Sequence, residues 1–148
     1  MTEADGIPVT EADGEDETLA EAFWGVARRL RRRSREALEP WDITPSQARA
    51  LGVLARHGML RLSALAEHLR IAPRSATEVV DDLQARGLVE RRPDPGDRRA
   101  TLVALTGEGS RIGAAIRAAR QTEAERLFAA LDDADRDQLA RILRTLGG

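Results

Sequence analysis

The chain has no cysteine and no lysine, and only 3% of its 148 residues are aromatic. Without cysteine there is no disulfide staple, no thiolate nucleophile and no redox sensing by thiol oxidation. No apolar run approaches the roughly 18 residues of a membrane span, and the opening stretch MTEADGIPVTEADGEDE is acidic where a secretory leader would be basic. The expectation is a cytoplasmic protein with no membrane partner. A phosphate loop, a Ser/His/Asp arrangement, metal-ligand spacing and clustered carboxylates in an apolar setting are all missing. An enzyme is therefore not expected, nor a cofactor. His57 and His68 stand as two isolated imidazoles without the cysteine and carboxylate set that a zinc site needs, so no metal is expected either.

What is present favours helices. Alanine, leucine and arginine are abundant, and the length suits one domain with a moderate core. The formal charge of −2 conceals an uneven distribution. Residues 1–17 carry seven acids and no base, which leaves 18 acids against 23 arginines in residues 18–148, a net of +5. A GC-rich coding bias explains an all-arginine chain better than nucleic-acid binding does, so the arginine count alone says little about DNA.

The chain divides by pattern. Residues 1–16 repeat the pentamer TEADG, lack an apolar period and read as a disordered acidic tail; residues 17–148 read as one folded unit. From Thr18, the residues Leu19, Phe23, Val26, Ala27, Leu30, Ala37 and Leu38 fall on one side of a helix that should end near Glu39, before Pro40. Arg28, Arg31, Arg32 and Arg35 fall on another face. Thr44-Pro45-Ser46-Gln47 is a capping box with proline at the first helical position, opening a second helix that runs to Gly58. Leu62, Leu65, Ala66 and Leu69 carry a short third helix, which Ser63 is placed to cap. A fourth opens at Pro73 and stops at Gly87.

Two strands follow, Leu88 to Arg92 and Arg99 to Leu105, joined through Pro95-Gly96, the favoured central pair of a type II turn. Four arginines (Arg91, Arg92, Arg98 and Arg99) crowd this hairpin. Asp97 beside Arg98 and Arg99 suggests a carboxylate holding a guanidinium in one orientation. Charges for solubility or edge protection are the competing reading. Thr106 caps a fifth helix, and Asp132 or Asp133 a sixth. The first, fifth and sixth helices carry more apolar stripe than a small module needs, which points to a subunit interface.

The segment ITPSQARALGVLARHGMLRLSALAEHLRIAPRSATEVVDDLQARGLVERRPDPGDRRATLVALTGEG, residues 43–109, resembles the MarR family of dimeric bacterial transcription regulators, most specifically in GLVERRPDPGDRRA and LVALT. The resemblance implies a mainly α fold with a small β-hairpin wing: a winged helix-turn-helix over 44–106, with dimerisation helices at 17–39 and 107–148. It implies a homodimer on double-stranded DNA carrying an inverted-repeat operator, acting as a repressor released by a small aromatic or anionic ligand. The fourth helix would enter the major groove, with Arg74, Ser75 and Thr77 at its exposed start, and Arg99 would enter the minor groove. Asp97 would orient Arg99, and Arg98, Arg61, Ser63 and Arg70 would contact phosphates. Trp24, Arg28 and Trp41 would line the ligand crevice, unless the two tryptophans merely pack.

The sequence departs from the family pattern at three places. Ala72 stands where a capping serine is usual, and Glu78 and Asp82 stand where a base is more typical. These departures motivate a second reading, a protein-interaction module that keeps the fold and has lost DNA affinity.

Overall fold

The computed structural model describes residues 16–148, so all but the last residue of the expected tail lies outside the described part. In chain order the elements are α1 (Leu19–Glu36), a 3-10 turn (Glu39–Trp41), α2 (Pro45–His57), β1 (Leu60–Arg61), α3 (Leu62–Leu69), α4 (Pro73–Ala85), β2 (Val89–Asp94), β3 (Asp97–Leu105), α5 (Gly107–Phe128) and α6 (Asp133–Gly147). This is the expected winged helix-turn-helix with long flanking helices.

Helix starts follow side-chain capping chemistry. At α2, the Thr44 hydroxyl accepts from the Gln47 amide at 3.2 Å while the Gln47 side chain accepts from the Thr44 amide at 3.1 Å. Gln47 is buried with that amide oxygen satisfied. Thr18 and Glu21 make the same box at α1. Thr106 caps α5 and Asp132 caps α6.

Three expectations are corrected. The first helix ends at Glu36, not near Glu39. Pro40 disfavours α geometry in the residue before it, and the chain tightens into a 3-10 turn closed by Trp41 N–H to Leu38 O at 3.1 Å, then reverses at Asp42 with φ 51. Arg86, at the end of α4, donates to the carbonyls of Trp41 and Asp42 and holds that reversal. Secondly, Ser63 does not cap α3; Arg61 occupies the N-cap with no side-chain hydrogen bond. The reason is β1, a two-residue strand that sequence periodicity missed. Leu60 and Arg61 pair with Val103 and Leu102, so the helix begins where the sheet releases the chain. Thirdly, Gly96 lacks the positive φ a type II turn demands. The Asp94 side chain instead accepts from the Gly96 amide at 2.9 Å, closing the turn locally.

The core lies between α2, α3, α4 and the sheet. Leu51, Leu54, Leu65, Leu69, Val80, Leu83, Leu88, Val89 and Val103 are buried, and Ile116 joins them from α5. The sheet order is β1-β3-β2, all antiparallel, so β3 is central and the β2–β3 hairpin projects from the helical body as the wing. By contrast α1 and α6 bury no residue within the chain, and Leu19, Phe23, Trp24, Val26, Ile142, Leu143 and Leu146 lie exposed.

Candidate DNA-binding surface

The helix-turn-helix is fixed by its turn. Arg70 caps the end of α3 in left-handed geometry, φ 54, with its amide donating to Glu67 O at 3.1 Å, and Ile71 N–H reaches back to Ala66 O at 3.2 Å. Arg49 reaches across from α2 to the Leu69 carbonyl at 2.7 Å, so this arginine serves the fold by satisfying the open end of α3. Arg70 pays a conformational cost for its backbone, and its side chain is exposed.

Helix α4 buries Ala76, Val80 and Leu83 and turns Arg74, Ser75, Glu78 and Asp82 outward. Among the described residues, the side chains of Arg74 and Ser75 make no hydrogen bond or ion pair. Thr77 differs from its expected exposure. It is half buried, and its hydroxyl donates to Pro73 O at 3.0 Å, one turn back on its own helix. Ala72 at the N-cap makes no side-chain bond, leaving amides of the first turn open. Ala72→Ser should therefore stabilise the domain by about 1 kcal/mol, seen as a raised melting temperature; a lowered one would show that the methyl packs.

The wing tip is irregular. Pro93 pairs with Thr101 while Asp94 pairs with Asp97, so Arg98, Arg99 and Ala100 oppose no residue of β2. Both wing arginines thus sit in a bulge, a device that re-aims side chains. Arg98 and Arg99 are exposed and engage no acid among the described residues. Asp97 does not grip the Arg99 guanidinium, as the sequence suggested; its Oδ1 accepts from the Arg99 backbone amide at 2.9 Å. The spacing of two residues favours that local loop over a side-chain pair. Asp97 therefore shapes the strand from which Arg99 extends.

Asp94 was missed by the sequence reading. Its Oδ2 accepts from Arg61 Nε at 2.9 Å and lies in ion-pair contact with Nη2 at 2.8 Å, and its Oδ1 accepts from Gly96 N–H. These bonds, the Gly96 amide first and then Arg61, hold the carboxyl below the ordinary carboxylate range. Arg61, expected on phosphate, thus has two of its nitrogens committed within the chain. Ser63 remains exposed beside it in the first turn of α3. Arg91 pairs with Asp81 at 2.6 Å and with Gln84, and Arg92 with Glu90. These pairings leave Arg98 and Arg99 as the hairpin arginines without an acidic partner among the described residues.

Of the expected ligand residues, Arg28 and Trp41 line separate cavities. Trp24 is half exposed on α1, edge-to-face with Phe23 at 5.7 Å. Arg28 lines an open cavity of about 770 Å³ with its arginine neighbours on α1. Trp41 lines another, of about 390 Å³, against Ala119 and Thr122 of α5. A crevice of about 330 Å³ between α2 and α5 is lined by Arg49, Arg56, Arg117 and Arg120 over Leu51, Val53 and Ile116. There the Nε of Arg120 is buried without a partner among the described residues, and burial lowers the guanidinium's pKa. Sequence spacing gave no sign of this cluster. His57 and His68 are stacked at 4.2 Å, and no group of three metal-ligating side chains occurs among the described residues. No helix there is long and apolar enough to cross a membrane.

Three turn-linked helices followed by a projecting, arginine-bearing hairpin define a winged helix-turn-helix DNA-binding module. The comparisons place it further: residues 41–100 match the model of the MarR family. The chain is 31% identical over 111 residues to the HTH-type transcriptional repressor MdtR of Bacillus subtilis, covering 75% of this chain and 72% of that protein. It is 35% identical over 121 residues to an uncharacterized HTH-type transcriptional regulator of Mycobacterium bovis, covering 82% of each. Among solved structures, wild-type apo MarR of Escherichia coli superposes with a TM-score of 0.79 at 27% identity, over 89% of this chain and 98% of that one. A mutant of the same protein in complex with operator DNA gives 0.69 at 27% identity, over 86% and 92%. The chain belongs to the MarR family: it is a transcriptional regulator, not an enzyme.

Proposed function

We propose that the protein is a homodimeric repressor that grips an inverted-repeat operator at two points per subunit and is released by a small anionic ligand. The module over 44–106 lays α4 along the major groove, with Arg74 and Ser75 at base edges and Thr77 contributing its methyl and remaining lone pairs. Arg99 enters the adjoining minor groove from the wing bulge, and Arg98, Arg70 and Ser63 contact phosphates. The helices at 17–39 and 107–148 form the dimer, covering the exposed apolar residues of α1 and α6. The observation that carries the reading is that Arg74 on α4 and Arg98 and Arg99 on the wing are exposed, charged and unpaired among the described residues, while the neighbouring wing arginines 91 and 92 are tied to acids. The operator complex of the E. coli relative supports the same partner.

The ligand reading rests on the crevice between α2 and α5. A guanidinium nitrogen buried without a partner costs on the order of 1–3 kcal/mol, which an anion entering the crevice would recover. Trp24, Arg28 and Trp41 would join this site only through the partner subunit.

A salt titration tests the DNA reading. Binding to a duplex from the protein's own promoter should weaken steeply with salt, log K falling with a slope of about −0.9 per neutralised phosphate. Two modules with several contacts each give a slope several units below zero. A weak affinity indifferent to salt would instead identify a protein-interaction module, the reading that Glu78 and Asp82 motivate.

A further inference from the structure

We propose that Arg61 and Asp94 form a strut that sets the pitch of the wing against the helix-turn-helix, making both of them positioning residues for DNA binding. The proposal rests on the reading that the wing enters the minor groove.

The two residues are 33 apart in sequence and join three elements. Arg61 belongs to β1 and is also the N-cap of α3, so its backbone moves with the helix-turn-helix. Across β3, Arg61 pairs with Leu102, and Leu102 pairs on its other side with Arg92. The Arg61 side chain therefore crosses the central strand to reach Asp94, two residues farther along β2. Asp94 in turn is the last paired residue of β2 before the tip, at the point where the register shifts. One of its oxygens takes the Arg61 Nε bond and the Nη2 ion-pair contact, and the other takes the Gly96 amide. A single carboxylate thus connects the turn that carries Arg98 and Arg99 to the start of α3.

The strut matters because little else restrains the tip. Residues 98–100 have no ladder partner on β2, and the tip projects from the helical body. A two-stranded ribbon is marginal by itself, and a minor-groove probe has to arrive within a narrow cleft while α4 stays in the major groove. The pair is also asymmetric in exposure, with the Asp94 side chain 15% accessible and that of Arg61 51%. Asp94 is thereby shielded from DNA phosphates by the arginine it binds, which explains how a carboxylate is tolerated beside a DNA-binding tip.

The opposing account is that Arg61 contacts phosphate and Asp94 is a bystander acid. The two accounts differ in sign for Asp94→Asn, which preserves the acceptor for Gly96 and removes the charge. A bystander acid repels phosphate, so its neutralisation would tighten binding. Loss of the strut weakens binding, by roughly two- to fivefold as for an exposed ion pair. Arg61→Ala should weaken it similarly, and the double variant Arg61→Ala/Asp94→Asn should be no weaker than either single one.

The experiment measures the affinity of the full-length wild type, these three variants and Arg99→Ala for the protein's own promoter duplex by fluorescence anisotropy. Guanine N7 methylation is followed on the same DNA. The strut predicts that Asp94→Asn loses affinity while protection of N7 in the major groove persists at saturation, which separates a mis-set wing from general unfolding. Equal or tighter binding by Asp94→Asn, or additive losses in the double variant, overturns it. If Arg99→Ala is itself neutral, the minor-groove reading fails and the strut with it. If Arg99→Ala weakens binding and Asp94→Asn does not, only the strut fails.

Discussion

Arg99→Ala is expected to weaken binding to the promoter duplex by roughly tenfold or more and to leave the melting temperature unchanged. The side chain is exposed and makes no contact that the fold needs. Its removal should therefore not register in stability, since surface substitutions away from special features stay within about ±0.5 kcal/mol. In the complex the guanidinium would meet the negative potential of a narrow minor groove with its charge-assisted hydrogen bonds made, each worth about 1.5–3 kcal/mol. Fluorescence anisotropy on the same duplex measures the loss, and a calorimetric scan confirms the unchanged stability. Wild-type affinity in the variant would remove the wing from the interface. The same truncation at Arg92, which Glu90 already engages, should cost much less.

Gly109→Ala should cost more stability than the same substitution at any other described glycine. Gly109 lies in the first turn of α5 with its amide on the Thr106 hydroxyl at 3.0 Å. A Cβ there would lie 1.8 Å from the Leu88 carbonyl oxygen and 2.8 Å from its carbon. That oxygen cannot swing aside freely, because it accepts from Thr106 N–H at 3.2 Å where β2 begins beside the start of α5. The clash is with backbone, so α5 must move off the sheet, at a cost of about 3 kcal/mol or more. The melting temperature should fall by roughly 10 °C. Gly113→Ala, one turn on, is the control. Its Cβ would meet Leu51 Cβ and Arg117 Nη1 at an ordinary 3.7 Å, and alanine is the better helix former by up to about 1 kcal/mol. Loss of stability at Gly113 equal to that at Gly109 would show that the close approach is not the cause.

The fold was legible in the sequence wherever the determining interaction is local. Thr44 and Gln47, three residues apart, announce α2; the 3.6-residue apolar spacing marks α4; and Gly87, with φ 72, ends it as expected. Features that depend on distant partners were not legible. The strand at Leu60 and Arg61 exists because Val103 and Leu102, more than forty positions later, lie beside it, and this strand displaced the expected cap at Ser63. The same holds for the site. Exposed arginines on α4 and on the hairpin can be read from periodicity and turn residues. Which arginines are already engaged cannot: Arg61 meets Asp94, Arg91 meets Asp81 and Arg86 meets the carbonyls of Trp41 and Asp42 only after folding. The arginines lining the crevice between α2 and α5 come from segments some sixty residues apart, and no spacing rule brings them together.

The central claim is a grip at two points per subunit, repeated by a second subunit. Its most direct test is a footprint of the purified protein on the DNA just upstream of its own coding region, read with a minor-groove probe (hydroxyl radical) and a major-groove probe (N7 methylation). The account predicts two symmetric half-sites with centres about one helical turn, or a multiple of it, apart. In each, protected guanine N7 atoms are flanked by a protected stretch of minor groove, and that flanking protection disappears in Arg99→Ala. A single unpaired half-site, or protection of the major groove alone in the wild type, would contradict it.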